Sequence, residues 1–347
     1  MFYSARDPGV SVVQPPAAPP SPPVRPLPPG SPEGWFFLTR AAQLGAGGVR
    51  EVRLAGEHWV LWRDASGSPR LHSAWCPHLG AHLGQGGTVR DGRLICPFHG
   101  FAFDPEGRCV ATGYGTPPPK KATLPGRPVI ERDGLLFGWS GQGAPAWAPD
   151  EVGAEGWSPF QVHQWELRAH PQEVTENSVD VGHFSHVHGY RAVSTVTPAE
   201  AEGACLRTAY RFEKPVGGRW APETIRITVW GLGYSRVEVE DEWVGARFRL
   251  LVLPTPLDAD RLRLSIALSV QDPDRSPRPA WRWLPRWAAR HLVAPLALRA
   301  YARDVESDFR IWSHKAWMAR PALAEGDGPI GLYRAWVRQF YPSPEAP

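Results

Sequence analysis

Four residues in two short pairs have the types and spacing to hold metal. Cys76-Pro77-His78 and Cys96-Pro97-Phe98-His99 are separated by 17 residues, Leu79 to Ile95, and each pair borders glycine: Gly80, Gly84, Gly86 and Gly87 after the first, Gly100 after the second. Two thiolates and two imidazoles satisfy a tetrahedral Zn²⁺. They equally satisfy a two-iron cluster in which two Cys ligate one iron and two His the other. Zinc fingers pair like with like, Cys with Cys and His with His. Here each loop carries one of each, which suits a [2Fe-2S] cluster gripped between two loops. A second group lies in Glu176-Asn177-Ser178-Val179-Asp180-Val181-Gly182-His183-Phe184-Ser185-His186-Val187-His188-Gly189. Two imidazoles and one carboxylate leave positions open on a ferrous ion. On an unbroken helix His183 and His186 share a face, whereas His183 and His188 stand roughly 140° apart. Periodicity alone therefore favours His183 with His186.

The elements that must position these residues are legible as patterns. Trp35-Phe36-Phe37-Leu38 is a compact apolar group, and the alternation in Val49–Leu54 and His58–Arg63 reads as strands of a small antiparallel sheet, with Gly and Pro recurring to about Pro149. Between Leu206 and Asp272 the runs Ile225–Trp230, Arg247–Leu253 and Arg261–Leu268 alternate wet and dry faces. Such strands followed by a long helix can curl around an apolar cavity. Ahead of all this, ten of the 39 prolines fall between Pro15 and Pro32, with no acidic residue between Asp7 and Glu33, so this head is expected to be solvated coil or polyproline II. No apolar stretch follows a basic start, so it is not read as a secretory signal.

Composition narrows the classes. Lys plus Arg is 38 against 35 Asp plus Glu, a net charge of +3, and no basic footprint for nucleic acid appears. Four Cys in 347 residues are too few for a disulfide scaffold. A hydrophobic fraction of 42% is enough to fill real cores. Ligand thiolates without paired structural Cys point to a reducing compartment, and the cytoplasm is the expected location. Cys109 and Cys205 are expected to be buried small hydrophobes. His72 and His82 are read as ordinary polar residues.

The motif Cys-x-His, spacer, Cys-x-x-His resembles the Rieske iron–sulfur family at all four positions. Where respiratory-type members carry a disulfide over the cluster, this chain has Ala81 and Phe98, and where they carry a serine donor it has Phe101. The resemblance is therefore to the low-potential oxygenase and ferredoxin pattern. Asp180, His183 and His188 resemble the Asp-x2-His-x4-His pattern of Rieske-type oxygenases. That resemblance implies that His183 and His188 are the ligands and that the helix is distorted or ends before His188, with Gly189 a stop signal. The run Asp-x-x-Ile-Trp-x-x-Lys resembles the sterol-directed branch (3-ketosteroid 9-alpha-hydroxylase and cholesterol 7-desaturase) and selects Asp308, with Asp304 the runner-up. The tail Tyr333–Tyr341 resembles the same branch. The resemblance further implies that Asp180 lies between metal centres of neighbouring subunits, with Asn177 and Glu176 supporting that junction.

These readings give an α+β chain: a proline-rich head over 1–33, an all-β Rieske domain over 34–150 and a helix-grip catalytic domain over 151–347. The expected activity is reductase-driven, O₂-dependent hydroxylation or desaturation of a hydrophobic, steroid- or sterol-like substrate. The expected cofactors are a [2Fe-2S] cluster and a mononuclear Fe(II), with NAD(P)H acting through a reductase or ferredoxin. A head-to-tail homotrimer is the expected assembly. Trp281-Arg282-Trp283-Leu284-Pro285-Arg286-Trp287 could make weak contact with a membrane surface. The competing readings are aromatic-ring oxidation, a Rieske electron carrier without the second site, and a non-catalytic metal-binding protein.

Overall fold

A computed structural model describes residues 26–342 apart from positions 29, 244 and 277; residues 1–25, most of the proline-rich head, lie outside the described residues. The first part is built from short strands: β1 (Trp35–Arg40), β2 (Val49–Leu54), β3 (Glu57–Arg63), β4 (Pro69–Ser73), β5 (Thr88–Arg90), β6 (Arg93–Ile95), β7 (Ala102–Phe103), β8 (Cys109–Ala111), β9 (Gly126–Arg127), β10 (Val129–Arg132) and β11 (Leu135–Trp139). They form three antiparallel sheets, ordered β1-β11-β10, β2-β3-β4-β9 and β5-β6-β7-β8. The last of these carries the second Cys/His loop between β6 and β7, while the first loop leaves β4. A core of Val60, Trp62, Leu83, Leu94, Phe101 and Phe103 packs against Cys76 and Cys96. His72 is part of this scaffold. Its Nδ1 accepts from Trp62 Nε1 at 3.1 Å, and burial pushes its pKa down to about 4.

The second part is one seven-stranded antiparallel sheet, ordered β12-β18-β17-β16-β15-β14-β13. Its strands are β12 (Gln161–Arg168), β13 (Arg191–Glu202), β14 (Cys205–Val216), β15 (Arg219–Trp230), β16 (Tyr234–Asp241), β17 (Arg247–Pro256) and β18 (Arg261–Val270). Helices α1 (Pro171–Glu176) and α2 (Gly182–His186) fill the connection from β12 to β13. After β18 come the short α3 (Pro279–Arg282) and α4 (Arg286–Ala288), then the long α5 (Ala294–His314) and α6 (Ile330–Val337). Helix α5 lies against β12 and β18. It buries Ala294, Leu298, Ala302, Asp308 and Trp312, a stripe at roughly helical spacing. One of those five is a carboxylate. The architecture is the expected α+β one, small sheets followed by a large sheet with a long helix. Among the described residues no helix is long and apolar enough to cross a membrane.

The two parts share a core. Trp35, Phe37 and Phe137 of the small sheets pack with Tyr234, Leu251 and Leu253 of the large one. Thr255 Oγ1 donates to the Phe37 carbonyl across this boundary at 2.8 Å. The head also ends earlier than its composition implies. The Pro26 carbonyl accepts from Trp317 N at 2.8 Å, and Glu33 N donates to the Phe340 carbonyl at 2.6 Å. His170 Nε2 meets the Gly30 carbonyl at 3.0 Å. Proline removes donors but keeps its carbonyls, so Pro26 can only accept, and the donor of this stretch is Glu33 N.

Helix α1 is buried along its whole length and is fixed by its caps and one ion pair. Pro171 occupies its first turn, and His170 Nδ1 accepts from Gln172 N at 3.2 Å. At its end, the Glu176 carboxylate takes both arms of Arg334 from α6, at 2.7 and 3.0 Å, with Lys315 Nζ 3.7 Å away. Removing the guanidinium would leave the buried carboxylate with only the more distant Lys315 ammonium. Arg334→Ala is expected to destabilise the fold by about 3 kcal/mol, read as a lower urea midpoint with an unchanged slope, whereas Arg334→Lys recovers part of the loss.

Candidate functional site

The two Cys/His loops have the same backbone design. Gly80 N donates to the Cys76 carbonyl at 2.9 Å and Gly100 N to the Cys96 carbonyl at 3.1 Å; in return Cys76 N donates to Ala81 O at 2.9 Å and Cys96 N to Phe101 O at 2.8 Å. Both glycines sit in the left-handed region, at φ of +74° and +67°, which a side chain would resist. A Cβ on Gly113 would lie 2.3 Å from the His99 carbonyl, so the chain behind the second loop must also be bare. The result brings both sulfurs into the core and leaves the imidazoles half-buried at the surface, with ring centroids 4.8 Å apart. His78 stacks on Phe101.

This donor set fits a two-iron cluster. Burial raises the Cys76 thiol, and Cys96 beside it adds to the rise, to about 12, so a thiolate there requires a strong local cation. The buried Nδ1 of His99 has no protein partner among the described residues. Cys205 is buried as expected, while Cys109 is only half-buried; both are free thiols.

Helix α2 explains how the second group of histidines is sorted. Asp180 Oδ1 accepts from His183 N at 3.1 Å, capping the start of the helix. The helix ends at His186, and Gly189 at φ +68° turns the chain into β13. His186 is left exposed, while the turn brings His188 back to His183, with ring centroids 5.1 Å apart. The pairing favoured by periodicity alone is therefore not the one the fold makes. Donor atoms of His183, His188 and Asp308 all lie within 4.8 Å of one another.

Both imidazoles are held so that Nε2 is available. His183 Nδ1–H donates to the Asp180 carbonyl at 2.5 Å. Ser307 Oγ donates to the Asp304 carbonyl at 2.5 Å, so it is left to accept from His188 Nδ1–H at 3.2 Å. Asp304 Oδ1 is 3.4 Å from the same nitrogen, and Asp308 Oδ2 is 3.5 Å from Nε2 on the opposite edge. The two carboxylates thus divide: Asp308 stands on the donor side, and Asp304 orients the ring from behind, as outer partners of metal-binding histidines do. Burial alone would lower the His188 pKa, but hydrogen bonds to Asp304 and Asp308 override it and push it up to about 9. A divalent ion entering here must displace that proton. Asp304 also accepts from Tyr190 Oη and from Lys214 Nζ, the latter at 3.3 Å. These partners outweigh burial and hold its pKa down to about 2. Tyr190, in the turn just before β13, and Lys214, on the inner face of β14, escaped the sequence reading because their only signal is where the fold places them.

The candidate triad opens onto an apolar cavity. Ile225, Ile227, Val237, Val239, Leu250 and Val252 form much of its wall, and Asn177 lines it near His183. A lining of this polarity suits an apolar small molecule. Asp180 keeps about a third of its side chain exposed, and its neighbours His183 and Lys315 overcome burial to lower its pKa.

A further cluster among the described residues, Glu51, His58 and His82, also has donor atoms within 4.8 Å. His82 Nδ1 accepts from Gly84 N at 3.2 Å. The neutral ring must then carry its proton on Nε2, which faces Glu51 Oε1 at 3.6 Å. That proton occupies the position a metal would need, so the cluster reads as a brace for the first loop, in line with the ordinary polar role expected of His82.

Residues 34–122 match the Rieske [2Fe-2S] domain, and residues 140–341 match the 3-ketosteroid 9alpha-hydroxylase C-terminal domain. The chain is 29% identical over 343 residues to cholesterol 7-desaturase nvd 1 of Ciona intestinalis, covering 91% of this chain and 70% of that one. It is 27% identical over 330 residues to the oxygenase component of 3-ketosteroid-9-alpha-monooxygenase from Rhodococcus rhodochrous, covering 89% and 79%. Among solved structures, Pseudomonas putida CBB5 NdmA with caffeine superposes with a TM-score of 0.68 at 17% identity, covering 88% of this chain and 89% of that one. Dicamba monooxygenase bound to dicamba gives 0.63 at 18% identity, covering 88% and 96%. At those identities the structural likeness is one of fold.

The sorting of the histidines can be tested by metal analysis. His188→Ala and Asp308→Ala are expected to lose mononuclear iron, and His186→Ala to retain it. Asp304→Asn is expected to weaken iron binding by roughly 10- to 100-fold. Loss of iron in His186→Ala with retention in His188→Ala would reverse the assignment.

Proposed function

From the premise that this chain belongs to the 3-ketosteroid 9alpha-hydroxylase C-terminal domain family, carries a Rieske [2Fe-2S] domain and is an enzyme of the Rieske non-haem iron monooxygenases, we propose that it is the oxygenase component of a system that hydroxylates or desaturates a steroid- or sterol-like molecule. The observation that carries this reading is the convergence of His183, His188 and Asp308 on the wall of an apolar cavity. The steroid class rests on that cavity together with the steroid-directed relatives.

In this reading Cys76 and Cys96 hold one iron of the cluster and His78 and His99 the other, while His183, His188 and Asp308 hold the mononuclear Fe(II). When bound, the cluster supplies single electrons and the mononuclear iron supplies O₂ activation. The chain's own residues do the positioning. Asp180 and Ser307 fix the imidazole tautomers, and Asp304 steadies His188. The aliphatic walls exclude water and hold the substrate carbon toward the open side of the triad. An NAD(P)H-dependent reductase, directly or through a ferredoxin, feeds the cluster. Trp75, Leu79, Phe98 and Tyr114 are exposed around the imidazole edge, the kind of apolar rim that marks a docking face. We assign that face to the catalytic part of a neighbouring copy in a head-to-tail trimer. The exposed part of Asp180, with Asn177 behind it, then joins the two centres. Free thiolate ligands suit the cytoplasm.

Metal analysis of anaerobically purified protein is expected to give about three iron atoms per chain. Cys76→Ala removes two of them and leaves the third. Asp180→Asn keeps all three and cuts NADH-driven turnover by roughly 10- to 100-fold. Product analysis by mass spectrometry over steroids, sterols and aromatic acids decides the substrate class; oxidation of the aromatic acids alone would replace the steroid reading with aromatic-ring oxidation. A zinc content matching the cluster residues would remove the catalytic reading altogether.

A lipid-like substrate also gives α3 and α4 a role. Trp281 is partly buried against the core, while Trp283 is 86% exposed and Trp287, Leu292 and Leu296 are exposed beside it. Arg282 and Arg286 flank them. This mixture suits a weak contact with an anionic lipid surface. Sedimentation with anionic vesicles is expected to fall in a Trp283→Ala/Trp287→Ala double variant, and equal partition with wild type would remove the contact.

A further inference from the structure

Strand β15 alternates strictly. Ala221, Ile225, Ile227 and Val229 point to the dry face and are buried, and the same face carries Glu223. A carboxylic acid therefore stands where the pattern calls for an aliphatic side chain. Glu223 is 7% exposed and lines the cavity. Among the described residues no cation lies within 4.0 Å of its carboxyl and no hydrogen-bond donor or acceptor reaches it. Lys214, the nearby candidate partner, is committed to Asp304 at 3.3 Å and lies over the ring of Tyr301, 4.7 Å from its centroid. Opposite Glu223 in the β14 register is Phe212, which is apolar. Burying a polar group without a partner is costly, and retaining one inside an apolar cavity is explained most simply by a ligand that completes it.

We propose that Glu223 is the polar anchor of the substrate cavity, its carboxyl hydrogen-bonding a hydroxyl or keto oxygen borne by an otherwise hydrocarbon ring skeleton. The inference deepens the steroid reading and rests on it. Burial raises the Glu223 pKa to about 7, with Asp241 and Asp304 adding to the rise and Lys214 opposing it. The neutral acid both donates and accepts, so it serves a hydroxyl and a keto oxygen alike. Anchoring one end of a rigid skeleton fixes which carbon faces His183, His188 and Asp308. Glu223 is thereby a specificity-determining residue, distinct from the groups that hold the metal.

The test compares equilibrium binding of three ligands of one skeleton to the holoenzyme: a 3-hydroxysteroid, its 3-keto counterpart and the 3-deoxy hydrocarbon. Wild type is expected to bind the oxygenated ligands about tenfold or more tightly than the deoxy one. Glu223→Met should bring that ratio to about one without weakening deoxy binding, since only the hydrogen bond is lost. Glu223→Gln, which can still donate and accept, should keep the ratio within about threefold of wild type. Iron content and the reduced-cluster signal should be unchanged in both variants. A wild type without preference, or a preference that survives Glu223→Met, overturns the anchor and leaves the steroid reading standing. Failure of wild type to bind any of the three overturns the steroid reading and the anchor with it.

Discussion

Asp308 is 5% exposed on the inner face of α5, with His188 Nε2 3.5 Å from its carboxylate and His183 within reach of the same point. A buried carboxylate is tolerated only when a cation or strong donors answer it. The neutral tautomer that the Nδ1 hydrogen bonds select leaves Nε2 of each histidine as a lone pair. The three groups therefore make a set of donors that fits a divalent metal, which would have to displace the proton His188 otherwise holds. The five-residue α2, the turn at Gly189 and the cap by Asp180 each serve to bring His183 and His188 to that point.

Around this centre the large sheet separates tasks by face. Outward residues of β14 to β17 carry ion pairs such as Arg211 with Glu242 and Arg247 with Glu240, which are exposed and contribute little to stability. Inward residues are aliphatic and set the cavity wall. Glu223 and Lys214 place polar groups at one end of the inner face, and Ser235 places a buried hydroxyl toward the other.

The first part of the chain has a different asymmetry. The sulfur donors are in the core and the imidazole donors are half-buried, ringed by exposed Trp75, Leu79, Phe98 and Tyr114. A cluster so held would be shielded from water on its thiolate side and reachable on its imidazole side. The proposed trimer uses that side for the neighbour, where the part-exposed carboxylate of Asp180 is also available.

The Cys76/His78/Cys96/His99 motif was legible because a loop that must offer two donors to one cluster constrains residues a few positions apart. The strands of both parts were legible for the same reason, since alternation is a local property of backbone geometry. The candidate second metal site was legible only through resemblance; spacing on its own selected His186, which the fold leaves exposed. Tertiary structure decided which His turns inward, that Asp304 stands behind His188 while Asp308 stands before it, and that the proline-rich head binds the body from Pro26 onward. It also gave Glu223 a meaning, because a charged letter in an alternating strand reads as noise until the far wall of the cavity is in place. Those features depend on side chains far apart in sequence meeting at one point, and only chain closure in three dimensions, which no local spacing encodes, brings them together.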